Sequence, residues 1–327
     1  AGESMFGANP GSFVANQITF NGGTLRTSTS SFSFNSNRGI TLDAGGGTFD
    51  VGSGRAITLT NAVTGAGALT KTGVGLLLMN GAHTYTGTTT INGGTVQLNR
   101  SGGGTLPNNA EININNGGTL RVSSNQTLNS LTLNAGATLT VDAGVTLTIA
   151  GNFTYNGGTI SSTGSMAYTG GGVIIYNASR TAGIEWNAGN NPAAVTINTG
   201  TVTLNSTVTT SGSLTINSPG VLAAGSNTIN IGGNWRNYAS SGFTEATSTV
   251  IFNSSGSQSM NNDGGTEDFF SLSKTGTGTL TLNTNAALAG TSSAFTLSNG
   301  IINTGNFGLS GTVSSSFTIS GGTLQLG

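Results

Sequence analysis

The sequence is poor in the residue types on which many functional sites depend. It contains no cysteine and one histidine, His83. Without cysteine the chain has no disulfide framework and no thiolate to serve as a nucleophile or a metal ligand. A metal site built from several histidines is excluded as well, and a Ser-His-Asp triad would depend on His83 alone. We interpret His83 as a polar residue in a turn.

Charge is also scarce. Charged residues make up 6% of the 327 residues, against about 25% in typical globular proteins. Nine Lys+Arg against ten Asp+Glu leave a formal net charge of −1, so we expect no nucleic-acid partner and no long-range attraction to anionic lipid. No apolar run approaches the roughly 18 residues of a membrane-spanning helix. The first residues lack the basic and apolar segments of a signal peptide, so we expect any such peptide to have been removed.

What the sequence has in abundance is glycine, with 55 residues, and a recurring combination of turn and strand. The tetrapeptide Asn-Gly-Gly-Thr occurs four times, each time followed by an apolar residue; it begins at Asn21, Asn92, Asn116 and Asn156. Related positions recur every 19 to 24 residues, as from Thr95 to Thr119. A period of roughly 20–24 residues made of short strands and turns is typical of a solenoid in which each repeat forms one coil.

The strands between these turns alternate apolar and polar residues, and no helical periodicity of any length is present. Pairs such as Ile18 and Phe20, or Ile57 and Leu59, share one face and are predicted to fill a narrow interior, while Thr, Ser and Asn face water. Recurrent asparagines at the turns are predicted to form side-chain ladders between successive coils. The sequence therefore predicts an all-β solenoid.

Residues 69–98 resemble the autotransporter-associated β-strand repeat of bacterial surface proteins. The resemblance includes Lys-Thr-Gly at 71–73 and Tyr-Thr-Gly at 85–87, and a partial second copy occupies residues 272–282. Residues 151–327 resemble repeats of secreted surface proteins from Bacteroidetes-type bacteria. The resemblance implies a right-handed parallel β-helix, which at this length holds about 14–16 coils, exported, displayed outside the cell and usually non-catalytic.

The repeat departs from the family pattern at His83, where asparagine is usual, and at Leu76 and Leu78. If Leu77 and Met79 point inward, then Leu76 and Leu78 face outward. Exposed paired leucines favour a lateral contact with another chain. The alternative, equally open, is that the chain's own N-terminal residues cover them.

We predict three segments. Residues 1–20 form either an N-terminal cap or a segment that docks on a neighbouring molecule. Residues 21–150 form a solenoid with coils of about 19–24 residues. Residues 151–327 continue it as two units of about 80 residues, because Ile231 and Leu309 hold matching positions 78 residues apart. The pattern stops in mid-repeat, which leaves open both a continuation of the native protein and cover by another subunit.

Few residues are candidates for binding a metal ion or a ligand. The one local acidic cluster contains Asp263, Glu267 and Asp268 and is a candidate Ca²⁺ site; a solvated acidic turn is the favoured alternative. Trp186, and Trp235 with Tyr238, are candidates for a sugar-contacting surface, with packing under a loop as the alternative. The glycine-rich pieces lack the Lys-Ser/Thr of a phosphate-binding loop, and we expect no cofactor.

Three functional hypotheses follow. The first is a non-enzymatic, secreted or surface-exposed structural protein, acting as a stalk, as an adhesin segment or as a subunit that self-associates end to end or laterally into a filament. The second is a glycan-binding adhesin. The third, disfavoured because clustered carboxylates are scarce, is a β-helix polysaccharide lyase or hydrolase.

Overall fold

The computed structural model describes residues 3–27, 29–263 and 265–327. In these residues the chain forms 41 short β-strands and one 3-10 turn, Glu3–Phe6. The strands stack in parallel as a β-solenoid of about 14 turns, which confirms the predicted fold class at the lower end of the expected number of coils. The chain divides into two compact units, Ala1–Gly170 and Gly171–Gly327, here called unit 1 and unit 2.

Unit 1 winds its strands into three sides; each turn adds one strand to two of them, and the third side is interrupted between β7 and β14. Sheet I contains β2 (Gly23–Thr27), β5 (Gly47–Val51), β8 (Leu69–Thr72), β10 (Thr89–Ile91), β12 (Glu111–Ile114), β15 (Ser130–Asn134) and β18 (Asn152–Asn156). Sheet II contains β3 (Phe32–Ser33), β6 (Ala56–Leu59), β9 (Leu76–Met79), β11 (Gly94–Leu98), β13 (Gly118–Val122), β16 (Thr138–Val141) and β19 (Thr159–Ile160). The third side, called side III, holds β1 (Val14–Phe20), β4 (Arg38–Leu42) and β7 (Val63–Gly65), then β14 (Gln126–Leu128), β17 (Thr146–Ile149) and β20 (Ser165–Tyr168).

The interior of unit 1 is a set of columns in which each turn places one side chain above another. Parallel pairing in register aligns Leu77, Val96, Leu120 and Leu139 across sheet II, and all four are fully buried. The residues between them point outward, because successive side chains of a strand alternate between its faces. The predicted alternation is therefore confirmed, and the inward-facing residues form the apolar core.

Asparagine ladders connect the turns, as predicted. Asn115 Nδ2 donates to Asn92 Oδ1 (2.7 Å), Asn134 Nδ2 to Asn115 Oδ1 (2.7 Å) and Asn156 Nδ2 to Asn134 Oδ1 (2.8 Å). The ladder asparagine after β12 is Asn115 and not Asn116, the residue with which the Asn-Gly-Gly-Thr tetrapeptide begins. Asn115 directly follows the end of β12, as Asn92 follows the end of β10, so it holds the equivalent position in the stack.

The N-terminal segment is held to unit 1 by a buried arginine. Arg38 is 1% exposed, and its guanidinium donates to Glu3 Oε1 (2.6 Å), to the carbonyl of Phe6 (3.0 Å) and to that of Gly7 (3.2 Å). The Phe6 ring lies 5.5 Å from that of Phe34. Of the segment predicted to form a cap or a docking element, residues 1 and 2 lie outside the described part of the chain.

Unit 2 has the same three-sided construction. Sheet IV contains β21 (Val173–Tyr176), β23 (Ala194–Ile197), β26 (Ser213–Ile216), β29 (Trp235–Asn237), β32 (Gln258–Asn262), β35 (Thr279–Leu282), β38 (Ile301–Asn303) and β41 (Thr323–Gln325). Sheet V contains β25 (Val208–Thr210), β28 (Thr228–Ile231), β31 (Thr249–Phe252), β34 (Ser271–Lys274), β37 (Ala294–Leu297) and β40 (Ser316–Ile319). The third side holds β22 (Arg180–Thr181), β24 (Thr201–Thr203), β27 (Val221–Ala223) and β30 (Phe243–Thr244), then β33 (Glu267–Phe269), β36 (Ala286–Leu288) and β39 (Leu309–Gly311).

The 78-residue spacing noted in the sequence does not return the chain to the same side of unit 2. Ile231 ends β28 in sheet V, whereas Leu309 begins β39 on the third side. The structural repeat of unit 2 is the single turn.

The ladder gives a direct test of what holds successive turns in register. Replacing Asn134 by alanine removes one ladder bond to the turn before and one to the turn after. We expect Asn134→Ala to lower the free energy of unfolding by about 1–3 kcal/mol, because the partner amides lose their hydrogen bonds. Urea unfolding followed by far-UV circular dichroism measures the change.

Asn99 supplies the matched control. It is exposed and makes one long side-chain bond, from its Nδ2 to Asn80 Oδ1 at 3.4 Å. Asn99→Ala should change the stability by about 0.5 kcal/mol or less. Equal effects of the two substitutions would show that the ladder does not stabilise the stack.

Candidate functional site

The leucines singled out in the sequence lie on the outer face of sheet II. Leu76 and Leu78 are partly buried and point outward from β9, whereas Leu77 and Met79 are fully buried. Leu76 pairs with Ala56 on one side and Thr95 on the other, so it stands between shorter neighbours. The outer face therefore carries an aliphatic ridge within rows of otherwise polar side chains.

A groove of about 690 Å³ crosses the outer face of sheet II from β6 to β16. We call it the Arg55 groove; residues on its walls and floor include Arg55, Val74, Leu76, Thr95, Gln97, Thr119, Arg121, Thr140 and Asp142. Its floor is the in-register stack itself, since Gln97 pairs with Arg121 and Arg121 with Thr140 in the parallel ladders. The sheet thus places hydroxyl, amide and guanidinium groups in rows along the direction of stacking.

At one end of the Arg55 groove a compact polar network satisfies its own charges. Arg121 Nε lies 3.0 Å from Asp142 Oδ1, Ser123 Oγ donates to Asp142 Oδ2 (2.6 Å), and Gln97 Nε2 donates to Ser123 Oγ (2.9 Å). Partial burial acts to raise the pKa of Asp142, but the hydrogen bonds from Ser123 and Arg121 and the charge of Arg121 outweigh it and lower that pKa. Asp142 is therefore ionised at neutral pH and offsets the charge of Arg121.

Arg55, at the other end of the groove, has no such partner. Among the described residues its Nε is buried and has no acceptor within hydrogen-bonding range, and no carboxylate forms an ion pair with Arg55. Its Nη1 makes a single long contact, 3.5 Å, with the carbonyl of Gly54. The Nη groups of Arg55 therefore keep N–H donors for a further hydrogen-bond acceptor.

Two lysines of the Lys-Thr-Gly motif are buried in the core, which the sequence reasoning missed. Lys71 stacks below Phe49 and above Ile91, and its Nζ donates to the carbonyls of Thr72 (2.6 Å), Gly73 (2.8 Å) and Gly93 (3.1 Å). Burial lowers the pKa of Lys71 to about 8, against the opposing charge of Asp50. The available signal was alternation, since Lys71 lies two residues after the inward-facing Leu69.

Lys274 repeats this arrangement in unit 2. It stacks between Phe252 and Leu297, is fully buried, and donates to the carbonyls of Ser254 (3.3 Å) and Gly276. Burial lowers its pKa as well. The motif thus has a structural role at a corner of the solenoid, where a lysine amine binds the carbonyls of the bend.

The structure corrects the interpretation of His83 as a polar turn residue. His83 is 2% exposed, and its Nδ1 accepts a hydrogen bond from the Val63 amide (3.0 Å). Burial lowers the pKa of His83 to about 3. The imidazole is therefore neutral at physiological pH and serves as an acceptor inside unit 1.

The three acidic residues considered as Ca²⁺ ligands do not converge. Glu267 points inward from β33 and is 2% exposed, whereas Asp268 points outward and Asp263 is exposed directly after β32. Among the described residues no group of three acidic, histidine or cysteine side chains is placed to hold a metal ion. Strand alternation separates Glu267 from Asp268 and so prevents a common ligand set.

Glu267 instead lies in a buried amide cluster. Asn262 Nδ2 donates to Glu267 Oε2 (2.7 Å), and Asn237 Nδ2 donates to the same oxygen (3.1 Å). Burial raises the pKa of Glu267 to about 7, and the hydrogen bonds from Asn237 and Asn262 oppose the rise.

The two tryptophans proposed for a sugar-contacting surface are fully buried, which corrects that expectation. Trp186 Nε1 donates to the carbonyl of Thr209 (3.1 Å), and the Trp235 ring packs edge-on against Phe243 at 4.8 Å between centroids. Neither indole offers a face to a ligand, because strand alternation directs Trp235 into the core of unit 2. Tyr238 alone of the three remains exposed, at 40%.

His83 and Glu267 give the two units opposite responses to acid. Between pH 6.5 and about 3 the unfolded chain binds a proton at His83 that the folded chain does not, so the free energy of unfolding of unit 1 falls as the pH falls. Between pH 7 and 4.5 the folded chain binds a proton at Glu267 that the unfolded chain does not. The free energy of unfolding of unit 2 therefore rises as the pH falls. Hydrogen exchange with mass spectrometry, corrected for the intrinsic rates, should record loss of protection around His83 and gain around Glu267 from pH 6.5 to 4.5.

Two variants separate these contributions. His83→Asn retains an acceptor for the Val63 amide but does not titrate, so the response of unit 1 should flatten while that of unit 2 persists. Glu267→Gln should do the reverse. A pH response that survives in both variants would show that other groups control it.

The described residues contain no helix with the length and apolar character needed to span a membrane. Residues 69–98 match the family model described as Passenger-associated-transport-repeat. Among curated proteins the chain is similar to the adhesin BmaC autotransporter of Brucella suis biovar 1 (strain 1330), with 36% identity over 107 residues, which is 32% of this chain. The match covers 3% of the length of that relative. No solved structure matches the chain significantly.

These matches agree with the geometry of the repeat. Lys71 and Gly73 of the Lys-Thr-Gly motif form the corner at which the lysine amine binds carbonyls, and the same corner recurs around Lys274. The chain therefore carries a passenger-associated transport repeat at residues 69–98 and is similar, over about a third of its length, to an autotransporter adhesin.

Proposed function

We propose that the protein is a non-enzymatic, extracellular β-solenoid that serves as a stalk or adhesin segment on the bacterial surface. The observation that carries the proposal is the passenger-associated transport repeat at residues 69–98, which supplies β8 to β11 and continues the ladders of sheets I and II. The curated relative is named an adhesin and an autotransporter.

The physical construction suits a stalk. In a parallel solenoid each turn is hydrogen-bonded through its backbone to the turns before and after it, so a bending or pulling force is shared by three sides. The chain makes few ion pairs for its length, with four among the described residues. Its stability should therefore depend little on ionic strength outside the cell, because screening weakens only exposed charge pairs.

The non-enzymatic assignment is supported by the adhesin-type relative and by the arrangement of the acidic side chains. A glycosidase needs two carboxylates facing one cleft at a defined separation. Glu267 and Asp268, adjacent in sequence, point to opposite faces of β33. Asp142, in the Arg55 groove, is tied to Arg121 and Ser123.

Surface exposure is tested on intact cells of the organism that produces the protein. Antibodies raised against the folded chain should label intact cells, and added protease should remove the label. A periplasmic protein labelled only after permeabilisation is the control. Labelling of the solenoid only after permeabilisation would contradict the proposal.

A further inference from the structure

The Arg55 groove has the chemistry of a ligand site that the role as a stalk does not require. Its positive group is incompletely satisfied: the Nε of Arg55 is buried and lacks an acceptor among the described residues, and Nη1 makes one contact of 3.5 Å, with the Gly54 carbonyl. The Nη groups therefore keep N–H donors for an acceptor oxygen in the groove.

The electrostatics of the groove select an anionic ligand. The other guanidinium in the groove, that of Arg121, lies 3.0 Å from Asp142 Oδ1, and Ser123 also donates to that carboxylate. This leaves the charge of Arg55 as the uncompensated one. Arginine binds a carboxylate through two parallel N–H donors, which fixes the ligand in orientation as well as in place.

The floor of the groove favours a polyhydroxylated ligand over a peptide strand. β9, β11 and β13 are each paired on both sides, so they present no free backbone edge to which an extended peptide could add. Recognition must use side chains, and those available are hydroxyls and an amide, at Thr95, Gln97 and Thr119. These groups both donate and accept hydrogen bonds, as sugar hydroxyls do.

The size of the groove and its apolar part also fit a short oligosaccharide. Its volume of about 690 Å³ is within the range of roughly 300–1,000 Å³ for small-molecule sites. Leu76 and the 70% exposed Val74 supply an apolar patch, which is enough to cover the C–H face of a sugar ring. A patch of these two side chains is much smaller than the surface of roughly 800 Å² that each partner of a stable protein complex buries.

We propose that the Arg55 groove binds a carboxylate-bearing oligosaccharide. The ligand carboxylate accepts from the guanidinium of Arg55, one sugar ring covers Leu76, and ring hydroxyls exchange hydrogen bonds with Thr95 and Gln97. The ligand runs across β9 and β11, along the direction in which the turns stack.

Isothermal titration calorimetry with purified chain and trigalacturonic acid tests the site, with the methyl ester of the same trisaccharide as the uncharged control. Arg55→Gln should weaken binding of the acid at least tenfold, and Arg55→Lys a few-fold, because lysine keeps the charge but loses the paired donors. Leu76→Ser should weaken binding of the acid several-fold. Arg236→Gln removes the same charge from β29 in unit 2 and should leave the affinity unchanged.

Circular dichroism and hydrogen exchange establish that each variant is folded. The proposal is overturned if the wild type does not bind the acid, if the ester binds as tightly, or if Arg55→Gln binds like the wild type. Tighter, Arg55-dependent binding of hexaglutamate would identify an acidic peptide as the ligand instead. Concentration-dependent dimers that disappear in Arg55→Gln would identify a second copy of the chain. The measurement uses purified protein, so it is independent of where on the cell the protein resides.

Discussion

Parallel pairing in register is the constraint on which the rest of this structure depends. Each turn uses the backbone groups of the turns before and after it. The residue at a given position in one turn must therefore suit the same surroundings as the residue at the equivalent position in the next. Leu77, Val96, Leu120 and Leu139 show the result for the core. The asparagines at the bend after sheet I show it for a polar side chain, because Asn115 and Asn134 each donate to the asparagine of the turn before and accept from that of the turn after.

The same constraint explains the buried polar residues. At a corner the strands separate and backbone carbonyls lose their ladder partners, so a donor inside the bend replaces them. Lys71 and Lys274 supply such donors. Each motif ends in a glycine because a side chain there would collide with the previous turn: a Cβ at Gly73 would meet the Val51 carbonyl, and one at Gly276 the Ser254 carbonyl. Burial of an amine is costly and lowers its pKa, and the carbonyls make the cost tolerable.

Because the chain carries few charged residues, a charged side chain without an ion-pair partner points to a candidate contact with another molecule. Arg26 pairs with Asp50, Arg38 with Glu3, Arg121 with Asp142 and Arg180 with Glu185. Arg55 is the arginine whose buried Nε has no partner in the described part of the chain, and it borders a groove. The regular sheet below it supplies rows of hydroxyl and amide groups, so the stacking of turns would also preorganise the ligand surface that we propose.

The sequence by itself determined the architecture, because period and alternation are local properties: a turn signal every 19 to 24 residues and inward apolar residues at every second position specify stacked coils. It also located the outward leucines and the asparagine ladder. It could not locate the Arg55 groove, because the groove combines residues from five turns that become neighbours only once the register is set. Nor could it decide the exposure of Trp186, Trp235, His83 and Glu267. Burial of a polar or amphipathic side chain depends on whether the adjacent turns supply its hydrogen-bond partners, and only the tertiary structure decides that.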